Sequence, residues 1–294
     1  MLAPRRMSID AAHAPVYHVT QTPSTLDLAA ELLADTATPT PHLTTVVADH
    51  QNAGRGRLGR SWVAPAEQAL LASTIVSLPA SLPTEALGWI LHACALSVRS
   101  ALAERLEPLD HTVSLKWPND VLVDGERKIC GILAQLANAS SPFTTTVILG
   151  YGINIAQEPG TLPTPQATSL RAEGDAQAGE DSQEVTRALL GSILTGLDER
   201  IRSLVAHGDA ASSGIAAEAR DALPLIGTRI ALASPTDPSG TPALEGLALG
   251  LAPSGALLLR TDDGTTHHVD AGDVLTTAIP LTTAHDTKEK RANN

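Results

Sequence analysis

The chain has 294 residues and a formal net charge of −12, and this acidic balance argues against broad association with nucleic acid or anionic membranes. Apolar residues make up 43% of the chain and aromatic residues 2%, so a sizeable core would be built from Ala, Leu, Val and Ile. The two cysteines, Cys94 and Cys130, lie in separate apolar runs, which argues against a disulfide framework and favours the reducing cytoplasm.

The first half of the chain predicts alternating strands and helices after a flexible lead-in at residues 1–14. Strands are predicted at residues 16–20, 43–48 and 69–78, and helices at residues 22–33 and 83–106. In the first helix, Ser24 and Asp27 have the spacing of a capping box, in which the serine side chain caps the helix. No apolar run reaches 18 residues and no apolar leader is present, so neither a transmembrane helix nor a secretory signal is predicted.

The second half predicts a compact block of strands, two helices and a small barrel. Strands are predicted at residues 113–116, 121–123, 128–135 and 144–149, and then at 228–233, 244–251, 256–260 and 267–270. A loop rich in Pro and Gly at 156–184 precedes a helix to residue 207 and a short helix that ends near residue 223. Short strands separated by turn signals indicate a barrel. The predicted domains are residues 15–223 and 224–280, before a disordered tail at 281–294.

Residues 54–62, the Gly/Arg loop, combine three glycines, three arginines and a tryptophan shortly after a predicted strand. Arginine forks match phosphate and carboxylate groups, and glycine lets a ligand approach the backbone closely. The plain alternative is a basic surface loop. The spacing of Gly54, Gly56 and Gly59 also fits a dinucleotide-binding turn, but Pro65 disfavours the helix that must follow such a turn. A nucleic-acid site would require a basic domain, whereas this chain is acidic.

A second polar block lies in the predicted hairpin between residues 116 and 135. Lys116, Asn119, Asp120 and Lys128 cluster around a bend and a strand start, next to apolar positions. Each has a structural alternative, because Asn and Asp often bond their own turn backbone and lysines are often solvated. The hairpin alone therefore indicates a site only weakly, and its combination with the Gly/Arg loop is the stronger signal.

Together these blocks resemble the biotin protein ligase family, whose motifs recur here in the same order over residues 16 to 155. The matching blocks are Ser24-Thr25, Gln51, Gly54 to Trp62, Lys116 to Asp120, Lys128 with Gly131-Ile132-Leu133, and Gly150, Gly152 and Asn154. Several blocks in one order are more specific than any one of them. The chain departs from the family pattern at three positions. Leu26 stands where the family usually has Asn, Cys130 where it has Ala or Gly, and Gln135 where it has Glu.

The resemblance implies an α+β fold, in which a mixed-sheet catalytic domain like that of class II aminoacyl-tRNA synthetases precedes an SH3-like barrel. It implies the activity of a biotin–[acetyl-CoA-carboxylase] ligase, which uses ATP and Mg²⁺ to activate biotin as biotinyl-5′-AMP. The biotinyl group then passes to the acceptor lysine of a biotin carboxyl carrier protein domain. Some relatives add an N-terminal winged helix, for which the residues before the first strand leave no room. We therefore expect no DNA or membrane partner, and a monomer or weak homodimer.

The resemblance also implies roles for individual residues. The residues expected to act in catalysis are Lys128, Arg55, Arg57 and Asp120. The residues expected at biotin are Ser24, Thr25, Leu26, Gln51, Gly54, Arg55, Gly56, Arg57, Lys128 and Gly131. The residues expected at ATP or the adenylate are Arg57, Arg60, Trp62, Lys116, Asn119, Asp120 and Asn154. No metal ligand from the protein is expected, so Mg²⁺ would arrive with ATP.

The Gly/Arg loop is expected to stay unpacked and mobile without ligand, because its cations lack anionic partners and its glycines add backbone freedom. Within it, Trp62 is either a wall of the ligand pocket or a packed anchor for the loop. Elsewhere, His267 and His268 do not indicate a metal site, since adjacent residues of a strand point to opposite faces.

The sequence leaves two other functions open. A lipoate or octanoate ligase or transferase of the same superfamily would hold a flexible chain, and the polar set Ser24, Thr25 and Gln51 would have no use. A non-catalytic regulator that binds biotin would not need Lys128 or three loop arginines. Pyrophosphate exchange into ATP, run with each acid, would separate these three interpretations.

Overall fold

The structure of the protein is a computed structural model that describes residues 5–9, 14–137, 142–234 and 242–279. Its internal contacts divide the chain into two compact units, each built on one β-sheet. The first unit comprises Met1–Pro224 with Pro253–Gly255, and the second comprises Leu225–Ala252 with Ala256–Asn294.

An eight-stranded mixed sheet forms the centre of the first unit. Its strands are β1 (Arg5–Met7), β2 (Val16–Thr22), β3 (Thr45–Gln51), β4 (Ala69–Pro79), β5 (Val113–Lys116), β6 (Asp120–Val123), β7 (Arg127–Leu136) and β8 (Thr144–Asn154). Their order across the sheet is β1-β2-β3-β4-β8-β7-β6-β5. Strands β2 and β3 run parallel, and the other neighbours run antiparallel. The predicted α+β class with a mixed sheet is therefore confirmed.

The described part of the first unit also contains five α-helices. They are α1 (Thr25–Ala34), α2 (Trp89–Leu106), α3 (Ala176–Glu180), α4 (Ser182–His207) and α5 (Ile215–Ala222). Helix α1 supplies the crossover that the parallel pair β2 and β3 requires. One face of α1 packs on the sheet, in an apolar cluster that contains Val19, Leu26, Leu28, Ala29, Val46, Ala48, Ile75 and Ile148.

Helix α2 lies in the core, against α4, α5 and strands β5 to β8. The stretch Thr84–Leu109, which contains it, is long and apolar enough to cross a membrane, although the sequence has no unbroken apolar run that predicts this. However, 72% of its most apolar window is buried inside the protein, as in a core helix. At its first residue, the Trp89 indole N–H donates to Pro253 O at 2.7 Å.

The central strands β4 and β8 are buried along most of their length, which explains their nearly continuous apolar sequences. One hydroxyl network interrupts the apolar packing. Thr74 Oγ1 on β4 lies 3.0 Å from Thr45 Oγ1 and 3.0 Å from the Tyr151 hydroxyl. Burial raises the pKa of Tyr151, so this hydroxyl stays protonated and contributes structure rather than charge.

A five-stranded antiparallel sheet forms the second unit. Its strands are β9 (Arg229–Ala233), β10 (Pro242–Leu251), β11 (Leu257–Arg260), β12 (Thr266–Val269) and β13 (Asp273–Ile279). Their order is β12-β11-β10-β9-β13, in keeping with the expected small SH3-like domain. Its buried side chains are aliphatic, and they include Ile230, Leu232, Ala248, Leu257 and Leu259.

Three elements differ from the sequence prediction. Strand β1 lies within the predicted flexible lead-in, where Arg5 to Met7 pair with β2. Helix α3 lies inside the predicted loop 156–184, and β13 follows the last strand predicted for the barrel. Strands β1 and β13 are short or rich in polar residues, so they depend on pairing with β2 and β9. Helix α3 has only five residues, and the Asp175 side chain caps it by accepting from the Ala178 N–H. The predicted tail at 281–294 lies outside the described residues.

The predicted capping box of α1 is wrong. Ser24 takes the N-cap position with extended backbone angles, but its side chain makes no capping hydrogen bond. Instead, Gln51 Oε1 at the end of β3 accepts from the backbone N–H of Thr25 at 2.7 Å. A side chain from the neighbouring strand therefore satisfies a helix-start N–H that local sequence rules assign to Ser24.

Candidate active site

The Gly/Arg loop folds back on itself as a small hydrogen-bonded turn. The backbone N–H of Trp62 donates to Gly54 O at 2.9 Å, and that of Gly56 donates to Arg60 O at 2.7 Å. Glycine is needed at Gly54, where an added Cβ would lie 2.4 Å from Trp62 O. The expectation that this loop stays unpacked without ligand is therefore wrong, because its backbone supplies internal partners.

Two arginines join the Gly/Arg loop to separate parts of the first unit. Arg55 Nη2 donates to Asp27 Oδ1 on α1 at 2.6 Å, in an exposed ion pair. Arg57 Nη1 donates to Asn119 Oδ1 at 3.2 Å, and Asn119 Nδ2 donates to Ile132 O on β7 at 2.8 Å. The Arg57–Asn119 contact brings together the two polar blocks that the sequence indicated separately. The third arginine of the loop, Arg60, is exposed.

Trp62 lies on a part of the sheet that has no side chains. Gly131 on β7 and Gly152 on β8 are register partners, and together they are called the glycine floor below. A Cβ added to Gly152 would lie 2.4 Å from Trp62 Cε2, and one added to Gly131 would lie 3.1 Å from Trp62 Cζ3. The buried Trp62 Nε1 has no hydrogen-bond partner among the described residues. A purely structural tryptophan usually has its N–H paired, so this geometry favours Trp62 as a wall of the ligand pocket.

Lys128 extends over the same floor. Its Nζ lies 3.3 Å from a Cβ added to Gly131, 5.8 Å from the centroid of the Trp62 ring and 2.7 Å from Asp120 Oδ1. Although this oxygen is in ion-pair range, it accepts no hydrogen bond of good angle within the described part of the chain. Lys116 on β5 is the register partner of Asp120, so two lysines flank this carboxylate.

The main chain of Lys128 is also fixed. Its N–H donates to Gln166 O at 2.6 Å, and its carbonyl accepts from the Thr168 N–H at 2.8 Å. These bonds attach the start of β7 to the segment that follows β8. The Lys128 ammonium therefore extends from a rigid backbone, which favours a preorganised positive charge.

A buried polar cluster lies where α1 meets β3 and β4. Thr25 Oγ1 donates to Gln51 Oε1 at 3.0 Å and accepts from Ser73 Oγ at 2.8 Å. Ser24 and Thr25 are buried, as expected for residues that contact a ligand inside the protein. Sequence reasoning missed Ser73, because a serine within the apolar β4 sequence has no motif of its own.

The three departures from the family pattern lie in different surroundings. Leu26 is buried, and its branched end lies against Gly150, where an added Cβ would be 2.8 Å from Leu26 Cγ. Leu26 therefore adds an apolar contact where the family has an amide. Cys130 is fully buried in β7, and Gln135 lies on the exposed end of the same strand.

Asn154 does not have the surroundings expected of a nucleotide ligand. Its side chain is buried, its Nδ2 donates to Thr168 O at 2.8 Å, and its Oδ1 accepts from Gln157 Nε2 at 3.0 Å. Both ends of the amide are thus used to fix the segment after β8. A polar residue at a strand end suggested a ligand contact. A residue that anchors a loop has the same sequence pattern.

A dense ion-pair network lies behind the hairpin that carries Lys128. Arg127 donates to Glu173 Oε1 at 2.6 Å and to Asp124 Oδ2 at 2.6 Å, and His111 Nδ1 lies 2.8 Å from Asp124 Oδ2. His111, Asp124 and Glu173 have the spacing of a metal site. However, the Arg127 guanidinium already satisfies both carboxylates, so the cluster fits a structural network better than a metal centre.

Both carboxyls in this network hold protons less readily than usual. The backbone N–H of Thr112, with His111 and Arg127, lowers the pKa of Asp124 well below its ordinary value. Burial raises the pKa of Glu173, but hydrogen bonds from Arg127 and Thr168 outweigh burial, and its net pKa is lowered. The folded protein therefore binds fewer protons at these two sites than the unfolded chain does.

The free energy of unfolding is expected to fall as the pH is lowered through the acid range. The contribution of Glu173 is fully present above its unfolded pKa, taken as 4.5, and is lost as the pH falls through its lower folded pKa. Glu173→Gln should make the pH dependence shallower below that value. Denaturant unfolding measured as a function of pH tests this. Glu184→Gln, in an exposed pair with Arg187, is the matched control and should keep the wild-type slope.

The cysteines offer no alternative nucleophile. Burial raises the pKa of Cys94 to about 12 and the pKa of Cys130 well above its ordinary value. Both thiols are free and buried, so neither carries the thiolate that nucleophilic catalysis needs.

The comparisons with known families cover both units. Residues 16–154 match the Biotin/lipoate A/B protein ligase family. This range contains the Gly/Arg loop and the glycine floor. Residues 236–275 match the Biotin protein ligase C terminal domain, most of which lies in the second unit.

Individual relatives align with most of the chain. The biotin–[acetyl-CoA-carboxylase] ligase of Mycobacterium tuberculosis is 34% identical over 78% of this chain and 77% of its own length. The Paracoccus denitrificans protein with the same name is 31% identical over 74% of this chain and 85% of its own length. The structure of Aquifex aeolicus biotin protein ligase with biotin and ATP is 25% identical, has a TM-score of 0.63, and aligns over 88% of this chain and 97% of that one.

Proposed function

The chain belongs to the biotin protein ligase family, and from that membership we propose that it is an ATP-dependent ligase that activates biotin and transfers it to a carrier lysine. The observation that carries the proposal is the Arg57–Asn119 hydrogen bond, which connects the Gly/Arg loop to the hairpin next to the glycine floor. This contact gathers Arg57, Trp62, Asp120 and Lys128 in one place. Positive charge, a surface without side chains and an apolar wall are what an acyl adenylate needs.

The first step joins biotin to AMP. A carboxylate oxygen of biotin attacks the α-phosphorus of ATP, the bond from that phosphorus to the bridging oxygen breaks, and pyrophosphate leaves. Such a transfer depends mainly on positioned reactants and on neutralised charge. Lys128, Arg55 and Arg57 are proposed to supply this charge, with Arg60, Lys116 and Asn119 at the nucleotide. The reaction needs no nucleophile from the protein.

Biotin itself is proposed to bind with its ureido ring toward the buried polar cluster. Ser24, Thr25 and Gln51 offer polar atoms there, while Leu26 forms the apolar wall over Gly150. A slot with a few fixed polar groups among apolar ones is typical of small-molecule sites. Gly54, Gly56 and Gly131 are also proposed to lie next to the ligand, where Gly54 leaves room for Trp62 O and Gly131 for the Trp62 ring and the Lys128 ammonium.

The second step transfers the biotinyl group to the acceptor. The ε-amine of the acceptor lysine attacks the acyl carbon, an amide bond forms, and the acyl–oxygen bond breaks as AMP leaves. Asp120 is proposed to orient this amine and to accept its proton. Its Oδ1 suits that role, because it carries charge without an accepted hydrogen bond of good angle among the described residues.

Mg²⁺ is proposed to enter with ATP. Bound to the phosphates, it would neutralise the charge of the departing pyrophosphate. The carboxylates at the site fit this arrangement better than a resident metal centre. Asp120 is paired with Lys128, and the cluster of His111, Asp124 and Glu173 is held by Arg127.

The proposed partner is a biotin carboxyl carrier protein domain with a single acceptor lysine. We propose a cytoplasmic location, since the reaction consumes ATP and both cysteines are free thiols. The net charge of −12 disfavours DNA as a further partner. A monomer or weak homodimer is proposed for the enzyme in solution.

Pyrophosphate exchange into ATP tests the proposed reaction. We expect exchange with biotin and little with lipoate or octanoate, because flexible acyl chains leave the buried polar cluster unpaired. Transfer to a purified carrier domain should then give one biotin per acceptor lysine. Exchange with lipoate but not with biotin would contradict the proposal, and biotin binding without any exchange would indicate a non-catalytic regulator.

A further inference from the structure

We propose that Ser73 is a positioning residue for ligand specificity, which acts through Thr25 to hold Gln51 so that its amide offers the ligand only N–H groups. The inference rests on the proposed function and adds to it the direction of one hydrogen-bond chain. As a consequence, the site next to Gln51 prefers a ligand group that accepts hydrogen bonds, such as a ureido carbonyl, over a group of the same shape that donates them.

The chain of hydrogen bonds starts at a fully buried hydroxyl on β4. Ser73 Oγ donates to Thr25 Oγ1 at 2.8 Å, and Thr25 Oγ1 donates to Gln51 Oε1 at 3.0 Å. The backbone N–H of Thr25 donates to the same Gln51 oxygen at 2.7 Å. Because a backbone N–H can only donate, the amide oxygen of Gln51 must face Thr25. Two donors then occupy both lone pairs of that oxygen.

The NH₂ group of Gln51 consequently faces away from α1. A Cβ added to Gly54 would lie 3.0 Å from Gln51 Nε2, so this nitrogen points toward the Gly/Arg loop. Within the described residues, Gln51 Nε2 donates no hydrogen bond. Two N–H groups are therefore available to a ligand at this position, and the acceptor side of the amide is already used.

A ligand group placed against Gln51 must accept hydrogen bonds. The carbonyl oxygen of the ureido ring in biotin can do so. The cyclic guanidine of 2-iminobiotin has the same outline but is protonated at neutral pH, and a guanidinium has donors only. Donors that face donors stay unpaired, and a site shielded from water discriminates strongly against such a mismatch.

Ser73 sets the direction of the chain. While Ser73 Oγ donates, the Thr25 oxygen is occupied on one side and its hydrogen is directed to Gln51. Without the serine hydroxyl, the Thr25 hydroxyl can rotate away, which leaves the backbone N–H as the only group that holds the amide oxygen. The amide can then turn its oxygen toward the ligand, and the preference for an acceptor is weakened.

The test compares biotin with 2-iminobiotin in pyrophosphate exchange by the full-length protein. The wild type should prefer biotin by about 10²-fold or more in kcat/KM. Ser73→Ala should reduce that preference by about tenfold, with a higher KM for biotin and an unchanged KM for ATP. The control is Thr74→Val, which removes a buried hydroxyl from the next residue of β4 and from a different network. It should lower Tm and keep the wild-type preference.

A second variant keeps the proposal testable even if Ser73→Ala does not fold. Gln51→Glu retains an acceptor for Thr25 but presents an acceptor to the ligand as well, so its preference should shift toward 2-iminobiotin. The proposal is overturned by a wild-type preference in Ser73→Ala or Gln51→Glu, or by an equal loss in Thr74→Val. If the wild-type protein shows no exchange with biotin, the proposed function itself fails. If the wild type exchanges with biotin but the variants keep its preference, only the role of Ser73 fails.

Discussion

Replacing Lys128 with alanine is expected to lower the rate of biotinyl-adenylate formation about 10²–10³-fold, the usual effect of removing one preorganised group that stabilises developing charge. The Lys128 ammonium lies 2.7 Å from Asp120 Oδ1 and 5.8 Å from the Trp62 ring centroid before any ligand arrives. Its charge therefore needs little reorganisation when negative charge builds at the α-phosphate. Pyrophosphate exchange with biotin measures this step, and Tm reports whether the fold is kept.

Two control variants separate the loss of this charge from other effects. Lys128→Ala leaves the half-buried Asp120 without its ion-pair partner, which can itself disturb the site. The double variant Lys128→Ala/Asp120→Ala removes that unpaired carboxylate and should remain inactive. Arg187→Ala removes a cation from an exposed pair with Glu184 and should exchange at the wild-type rate. Near-wild-type exchange by Lys128→Ala, or recovery in the double variant, would contradict the assigned role.

Replacing Arg57 with glycine is expected to let biotinyl-AMP escape about 10- to 100-fold faster, the effect of losing one hydrogen bond to a charged group. Arg57 holds the Gly/Arg loop to Asn119, and the closed loop is proposed to shield the water-sensitive anhydride until the acceptor lysine arrives. The released intermediate should acylate exposed lysines of bystander proteins. Release can be followed with radiolabelled biotin, and acylation of bystanders by mass spectrometry.

The loop provides its own controls for this variant. Leu58→Gly adds the same backbone freedom one residue later, at an exposed side chain with a φ of 57°, and removes no charge. It should retain the intermediate, whereas Arg57→Ala should release it nearly as fast as Arg57→Gly. Trypsin cleavage at Arg55, Arg57 or Arg60 should slow when biotin and ATP are present. If Leu58→Gly releases as much intermediate as Arg57→Gly, the rigidity of the loop backbone rather than the Asn119 contact retains the ligand.

The sequence predicted the long apolar elements well, because their patterns repeat over many residues. Strand β4, helix α2 and helix α4 start and end within a few residues of the predicted limits, apart from a turn of 3₁₀-helix before α2. The hairpin turn at Asp124-Gly125 was also predicted, and both residues have the positive φ that this turn requires. Strand β1 was missed, because three residues carry no periodic signal and are held by pairing with β2.

Individual side chains in the site were harder to predict than the site itself. The motifs located the two polar blocks, but only the fold shows that Arg57 reaches Asn119 and that Ser73 joins Thr25. Asn154 shows the opposite difficulty, since a polar residue at a strand end can serve a loop as well as a ligand, and its expected role at the nucleotide stays a prediction. Partners far apart in sequence decide these roles, and no local pattern encodes them.

The position of Trp62 on the glycine floor gives the protein an optical reporter of its own site. The chain has three tryptophans, and Trp89 and Trp117 are almost completely buried. Trp62 is only partly buried, lies near the Lys128 ammonium, and its indole N–H has no hydrogen-bond partner among the described residues. A ligand that displaces the lysine or bonds the indole should therefore change the emission of Trp62 more than that of the two buried tryptophans. Titration of the intrinsic fluorescence could then follow loading of the site without any label.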